Sequence, residues 1–182
     1  MRGVVMHPAG DVRVEEREDP KIIEPTDAIV RLTATCICGS DLWPYRGIEP
    51  ADHQVMGHEY VGIVEEVGEE VENVEVGDFV VGSFVISDNT CEICRSGFQS
   101  KCVHAEFVAQ TIGTQAEKAR IPFADGTLVP TPDVLGTGWP WVRSGPFAPG
   151  AARGGASLAG CACSQEWGPW CSSRLVRTAA GP

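Results

Sequence analysis

The sequence predicts a mainly β domain, a small barrel or sandwich, followed by a disordered or poorly packed tail. Three observations carry that prediction. Short β-branched runs are separated by turn residues along the first three quarters of the chain. They do not alternate with long amphipathic segments, as a βαβ array requires. The composition also breaks near residue 137 of 182. Residues 1–137 hold 24 acidic side chains against 10 basic ones, a net of −14, whereas residues 138–182 hold one acid, Glu166, against four arginines. The two stretches are therefore taken as separate units, 1–137 and 138–182.

Each element follows from its local pattern. Residues 3–6 and 11–17 pair as two strands around the turn Pro8–Asp11, the second alternating Val with charge. Residues 28–35, AIVRLTAT, form the best strand of the N-terminal third. Residues 60–67, YVGIVEEV, form another, closed by Gly68. GDFVVGSFV, residues 77–85, follows the acidic turn EEVENVEV. Residues 115–122 and 127–130 complete the strand set. The one helical candidate is the stretch 40–46. The tail holds 8 Gly, 5 Pro and four of the five Trp, with no sustained period of 2 or 3.6, so no strand or helix is assigned to it.

Charge excludes some partners. A formal net charge of −11 disfavours nucleic acid and anionic membranes, whose phosphates require Lys and Arg. There is no apolar run of transmembrane length and no export signal at the N-terminus, which points to a cytoplasmic setting. In such a setting cysteines serve metal or thiol chemistry more often than disulfides.

Five cysteines precede residue 137: Cys36, Cys38, Cys91, Cys94 and Cys102. Cys38 ends a predicted strand and His58 precedes one. A thiolate and an imidazole suit a tetrahedral zinc, and a catalytic zinc keeps one position open to act on an oxygen. Ser40 stands where it could pass a proton, and Asp41 and Glu59 are carboxylates suited to orienting the ligands. Equally, Cys38 and His58 read as a buried structural thiol and a hydrogen-bonded loop histidine. Asp88-x2-Cys91-x2-Cys94-x7-Cys102 has the spacing of a closed structural zinc site, against the alternative of three reduced surface thiols. Cys36 reads as a packed small hydrophobe. His7, His53 and His104 show no partner pattern and read as surface or turn histidines.

The blocks CGSDLWPYRG and VMGHEYVGIVEEVGEEVENVEVGDFV, followed by C-x2-C-x7-C, resemble the N-terminal catalytic domain of zinc-dependent medium-chain alcohol dehydrogenases. The resemblance covers residues 1–137 and implies a GroES-like β-barrel with a zinc-binding lobe. It implies Cys38 and His58 as catalytic zinc ligands and Glu59 as the neighbouring acid that can approach the metal. Ser40 corresponds to the first hydroxyl of the proton relay and Asp41 to the acid supporting the site. Asp88, Cys91, Cys94 and Cys102 match the structural zinc ligands, with Asp88 in place of the usual first Cys. Asp133 stands four residues before Thr137-Gly138-Trp139, the place of the third catalytic ligand, and Thr137 would then lie near the nicotinamide. Trp43 occupies the place where the relay often continues through a His.

The implied activity is oxidation of an alcohol to an aldehyde or ketone, or the reverse, with two zinc ions and NAD(P), in a family that commonly forms homo-oligomers. No G-x-G-x-x-G following a strand occurs in the chain. The tail's composition resembles a GC-rich reading frame translated out of register. The chain is thus expected to be truncated, binding zinc without turnover on its own. The alternative is a non-catalytic zinc-binding fragment, or an interaction partner of a full-length homologue.

Overall fold

The computed structural model describes residues 1–131 together with Leu175–Val176. As expected, strands dominate. The N-terminal hairpin consists of β1 (Arg2–Met6) and β2 (Val12–Glu16), joined through Pro8–Asp11 and paired from Arg2↔Glu16 to Met6↔Val12. A two-residue strand, β4 (Gln54–Val55), pairs with the other edge of β1, giving the order β2-β1-β4.

The main sheet is built on β3 (Ala28–Cys36) and β5 (Tyr60–Val67), antiparallel partners with two register shifts. From β5 the sheet continues through β6 (Phe79–Gly82) to β10 (Leu128–Pro130). The far edge of β3 carries β9 (Lys118–Ile121) beside Ala28–Arg31 and β11 (Leu175–Val176) beside Thr35–Cys36. A small ribbon of β7 (Val85–Ile86) and β8 (Glu106–Phe107) lies at the base of the cysteine lobe.

The core lies on the inner face of this sheet. Val30, Leu32, Val64, Val80, Val108 and Ile121 are buried in one cluster with Tyr60. The Tyr60 ring fills the space beside Gly82, where an added Cβ would fall 1.8 Å from a ring carbon. This position therefore admits only glycine without moving the ring. Burying side chains of this size at about 25 cal/mol per Å2 of apolar surface is the main stabilising contribution.

The helical content differs from the expectation. Residues 40–46 do turn helically, as a 3-10 turn at Gly39–Asp41 followed by α1 (Leu42–Tyr45). Among the described residues three further single-turn helices occur, α2 (Glu92–Arg95), α3 (Val108–Thr111) and α4 (Ala124–Thr127), along with a 3-10 turn at Gln99–Lys101. Each is a single turn, too short to show a 3.6-residue period, so periodicity could not reveal them. The short strands β4 and β8 escape pattern reading for the same reason. The stretch 77–85 is interrupted at Ser83–Phe84, where the chain leaves the main sheet for the ribbon.

In the tail, to which the sequence reading assigned no element, Leu175–Val176 pair with Cys36 and Thr35. Two β-prone apolar residues found an open edge on β3, and edge pairing needs no sequence period. Asp133, Thr137 and the rest of the tail lie outside the described residues. Among the described residues no helix is long and apolar enough to cross a membrane.

Candidate metal centres

The first cluster forms where β3 ends and β5 begins. Cys38 lies just past β3, and His58 and Glu59 immediately precede β5. One ligand atom from each of the three lies within 4.8 Å of the others. Gly57 makes this approach possible. It has a φ of +98°, and an added Cβ would sit 2.4 Å from the Gln115 nitrogen. The backbone there is pinned by bonds from Thr114 N to Gly57 O and from Gln115 N to Met56 O.

A layer of polar contacts holds the cluster. Asp41 is buried, and its Oδ2 accepts the Cys38 N–H at 2.8 Å. Its Oδ1 lies 3.4 Å from His58 Nδ1, a close charge contact that stops short of hydrogen-bond geometry and leaves that nitrogen without a hydrogen-bond partner. The Asp41 carboxylate, and after it the Cys38 thiolate, push the His58 imidazole up to about 9 against the opposing effect of burial. Burial opposes ionisation of Cys38. Hydrogen bonds from the Ser40 backbone and side chain and from His58 outweigh it and bring the thiol below its ordinary value. Ser40 Oγ lies 3.3 Å from His58 Nε2, so a hydroxyl sits directly beside the ligand atoms.

The donor set fits zinc. A thiolate sulfur, an imidazole nitrogen and a carboxylate oxygen are the ligand types that zinc takes. A carboxylate facing the far nitrogen of the imidazole is the usual way such a histidine is oriented.

The second cluster is the lobe. Asp88, Cys91, Cys94 and Cys102 each place a ligand atom within 4.8 Å of the others. Asp88 Oδ1 accepts the N–H groups of Thr90 (2.9 Å) and Cys91 (3.1 Å), while Oδ2 accepts from His104 Nδ1 at 2.8 Å. Sulfurs are met by backbone donors: Cys94 N–H to Cys91 Sγ at 3.4 Å, and His104 N–H to Cys102 Sγ at 3.3 Å. Burial works against ionisation of Asp88, but the N–H groups of Cys91 and Thr90 and the His104 ring hold its carboxyl well below the usual range. Donors from the Cys94 and Val103 backbones lower Cys91, whereas burial and the adjacent Cys91 and Cys102 push Cys94 up to about 12. Three thiols crowded this closely resist ionising together without a cation between them. Ser87, which bonds to Thr127 and Gly126 beside α4, fixes the base of the lobe to the barrel.

Cys38, Ser40, Asp41, His58 and Glu59 thus come together at one end of the sheet, and Asp88, Cys91, Cys94 and Cys102 at another. Cys36 is buried, as read from the sequence. His53 and His104 are exposed, as read from the sequence, whereas the reading of His7 as a surface histidine is corrected, since it is buried. His104 is bonded to Asp88, His7 is bonded to Glu15, and His53 touches His7. Their partners are distant in sequence or sit in loops, where spacing gives no signal. Two supporting residues were also missed. Gln115 donates through Nε2 to Cys36 O (3.3 Å) and toward Asp41 Oδ2 (3.5 Å), and Thr35 Oγ1 donates to Glu59 O (2.8 Å). Both lie within strand-like stretches, so their burial and reach appear only in the fold.

Known proteins resemble this chain in sequence and fold. Residues 24–133 match the family described as alcohol dehydrogenase GroES-like domain. Over 136 residues the chain is 46% identical to zinc-type alcohol dehydrogenase B of Aspergillus flavus, covering 73% of this chain and 32% of that protein. Among solved structures it is similar to the alcohol dehydrogenase TADH from Thermus sp. ATN1 (TM-score 0.68, 39% identity), covering 72% of this chain and 40% of that one. It is also similar to the apo form of zinc-dependent alcohol dehydrogenase 2 from Streptococcus pneumonia (TM-score 0.66, 38% identity), covering 73% of this chain and 39% of that one. The chain thus spans 32% to 40% of the length of these relatives.

Proposed function

The chain belongs to the alcohol dehydrogenase GroES-like domain family, and from that premise we propose that residues 1–137 are the catalytic domain of a zinc-dependent alcohol dehydrogenase-type oxidoreductase. Its chemistry would interconvert an alcohol and an aldehyde or ketone with NAD(P). The observation that carries this reading is the convergence of Cys38, His58 and Glu59 within 4.8 Å, with Ser40 Oγ 3.3 Å from the His58 ring. Cys38, His58 and Asp133 would hold the catalytic zinc. Asp88, Cys91, Cys94 and Cys102 would hold a structural one.

A bound catalytic zinc supplies Lewis acidity toward a substrate oxygen. The protein's own residues then have separate tasks. Ser40 Oγ accepts the hydroxyl proton of the alcohol and releases it toward solvent. Asp41 holds the His58 ring in place through Nδ1 and fixes the Cys38 backbone. Glu59, beside both ligands, would be the neighbouring carboxylate able to approach the metal. Thr137 would lie near the nicotinamide. The five free thiols among the described residues favour a reducing, cytoplasmic setting.

A second reading applies to this chain on its own: it binds zinc without turnover. The observation behind it is that the 182-residue chain spans only 32% to 40% of the length of those relatives. Metal analysis combined with NAD and NADP titration and an alcohol panel tests both readings. We expect two zinc equivalents held by the two cysteine clusters, one of them lost in Cys38→Ser, and no alcohol-dependent reduction of the dinucleotide. Unchanged metal content in Cys38→Ser would refute the catalytic-site assignment. Robust alcohol oxidation by the 182-residue protein would refute the second reading.

A further inference from the structure

Away from both cysteine clusters, a third group of ligand atoms converges among the described residues. His7, Asp52 and His53 each place one within 4.8 Å of the others. Strand pairing creates this meeting. β1 and β4 are antiparallel with Val5↔Val55 and Met6↔Gln54, so the next pair in register is His7 opposite His53. Directly opposed side chains on antiparallel strands have Cβ atoms about 5 Å apart. The two rings meet edge to face with centroids 4.4 Å apart.

We propose that His7, Asp52 and His53 form a binding site for a divalent transition-metal ion, and that the bound ion clamps the loop before β4 to the end of β1. Two imidazoles and one carboxylate suit zinc, nickel or copper, while calcium and magnesium prefer all-oxygen sites. His7 is 7% exposed, and its Nε2 lies 2.6 Å from Glu15 Oε1. That carboxylate on β2 fixes the ring and leaves Nδ1 for an ion, the pairing that commonly orients a metal-bound histidine. His53 Nδ1 lies 2.7 Å from Asp52 Oδ1, which leaves Nε2 as its free nitrogen. Glu15 and Asp52 bring two negative charges to two imidazoles, a balance that a divalent cation completes. The Asp52 and His53 side chains are about two thirds exposed and give an ion a path from solvent.

The clamp has a consequence for the first cluster. His53 precedes Gly57-His58 by a few residues, with only β4 and Met56 between them. An ion at His7 and His53 would fix the start of the segment that delivers His58.

The test is a cobalt titration of the metal-free 182-residue protein, comparing wild type with H53N. Asn tolerates the positive φ of 53° found at His53, and the side chain is exposed, so the fold is kept. We expect H53N to bind one cobalt equivalent fewer than wild type. The thiolate-to-cobalt charge-transfer bands should be identical, because no sulfur is in this site. E15Q should keep the stoichiometry and bind that equivalent about 10- to 100-fold more weakly. Equal stoichiometry in wild type and H53N would overturn the proposal, as would a loss of charge-transfer intensity in H53N. The thiolate bands report separately on the two cysteine clusters, so failure here leaves the zinc reading intact and the reverse also holds.

Discussion

The two cysteine clusters use similar donors and are supported in opposite ways. The barrel cluster takes Cys38 from the end of β3 and His58 with Glu59 from the start of β5, positions 20 residues apart in sequence. Its geometry is imposed by paired strands and by buried Asp41, Thr35 and Gln115. The lobe takes Asp88, Cys91, Cys94 and Cys102 from a single stretch of 15 residues. Its support is local, from backbone N–H groups turned toward sulfur and carboxylate. Around it Phe98 and Val103 are exposed, so little apolar surface is buried to order the chain. The difference teaches that one cluster is a product of the fold, while the other needs an ion to complete its own local fold.

Substitutions can break this contrast at either end. The largest effect is expected for Cys94→Ser, because Cys94 is buried at the centre of the lobe. Limited proteolysis should find new cleavage between residues 88 and 104, with one zinc equivalent lost and the barrel strands intact. Cleavage spreading into β3 or β5 would erase the distinction. Cys38→Ser comes next. It should also lose one equivalent, but with a thermal midpoint close to that of wild type at matched lobe occupancy. A large fall in the midpoint would mean that the barrel, too, depends on its ion. Asp41→Asn sharpens the contrast. It weakens the grip on the His58 ring and should lower zinc affinity at the barrel cluster about 10- to 100-fold, leaving the lobe unchanged in a competition titration. The smallest effect belongs to His104→Ala. The ring is 61% exposed, and Asp88 keeps its two backbone donors, so lobe affinity should fall by about tenfold at most.

How much was legible in the sequence follows from the same contrast. The lobe could be read from spacing alone, because its ligands are local. The long strands β3 and β5 could be read too, since each has enough β-branched residues to show a pattern. Cys38, His58 and Glu59 were legible as a group only through the motif blocks that contain them, because nothing in a spacing of 20 residues implies contact. Gln115 and Thr35 were hidden, since a buried amide or hydroxyl in a strand looks like any other polar residue until its partner is known. His7 and His53 were hidden for a related reason. Their opposition depends on β4, a two-residue strand with no period of its own. The single-turn helices share that limitation, as tertiary contacts rather than intrinsic periodicity decide them.

The measurement that tests the contrast most directly is amide hydrogen exchange, mapped by segment, on the zinc-loaded and the metal-free protein. If the barrel cluster is held by its fold and the lobe by its ion, removing zinc should collapse protection across residues 88–104 while amides of β3 and β5 keep theirs. Equal loss of protection in both regions, or a lobe that stays protected without metal, would contradict it.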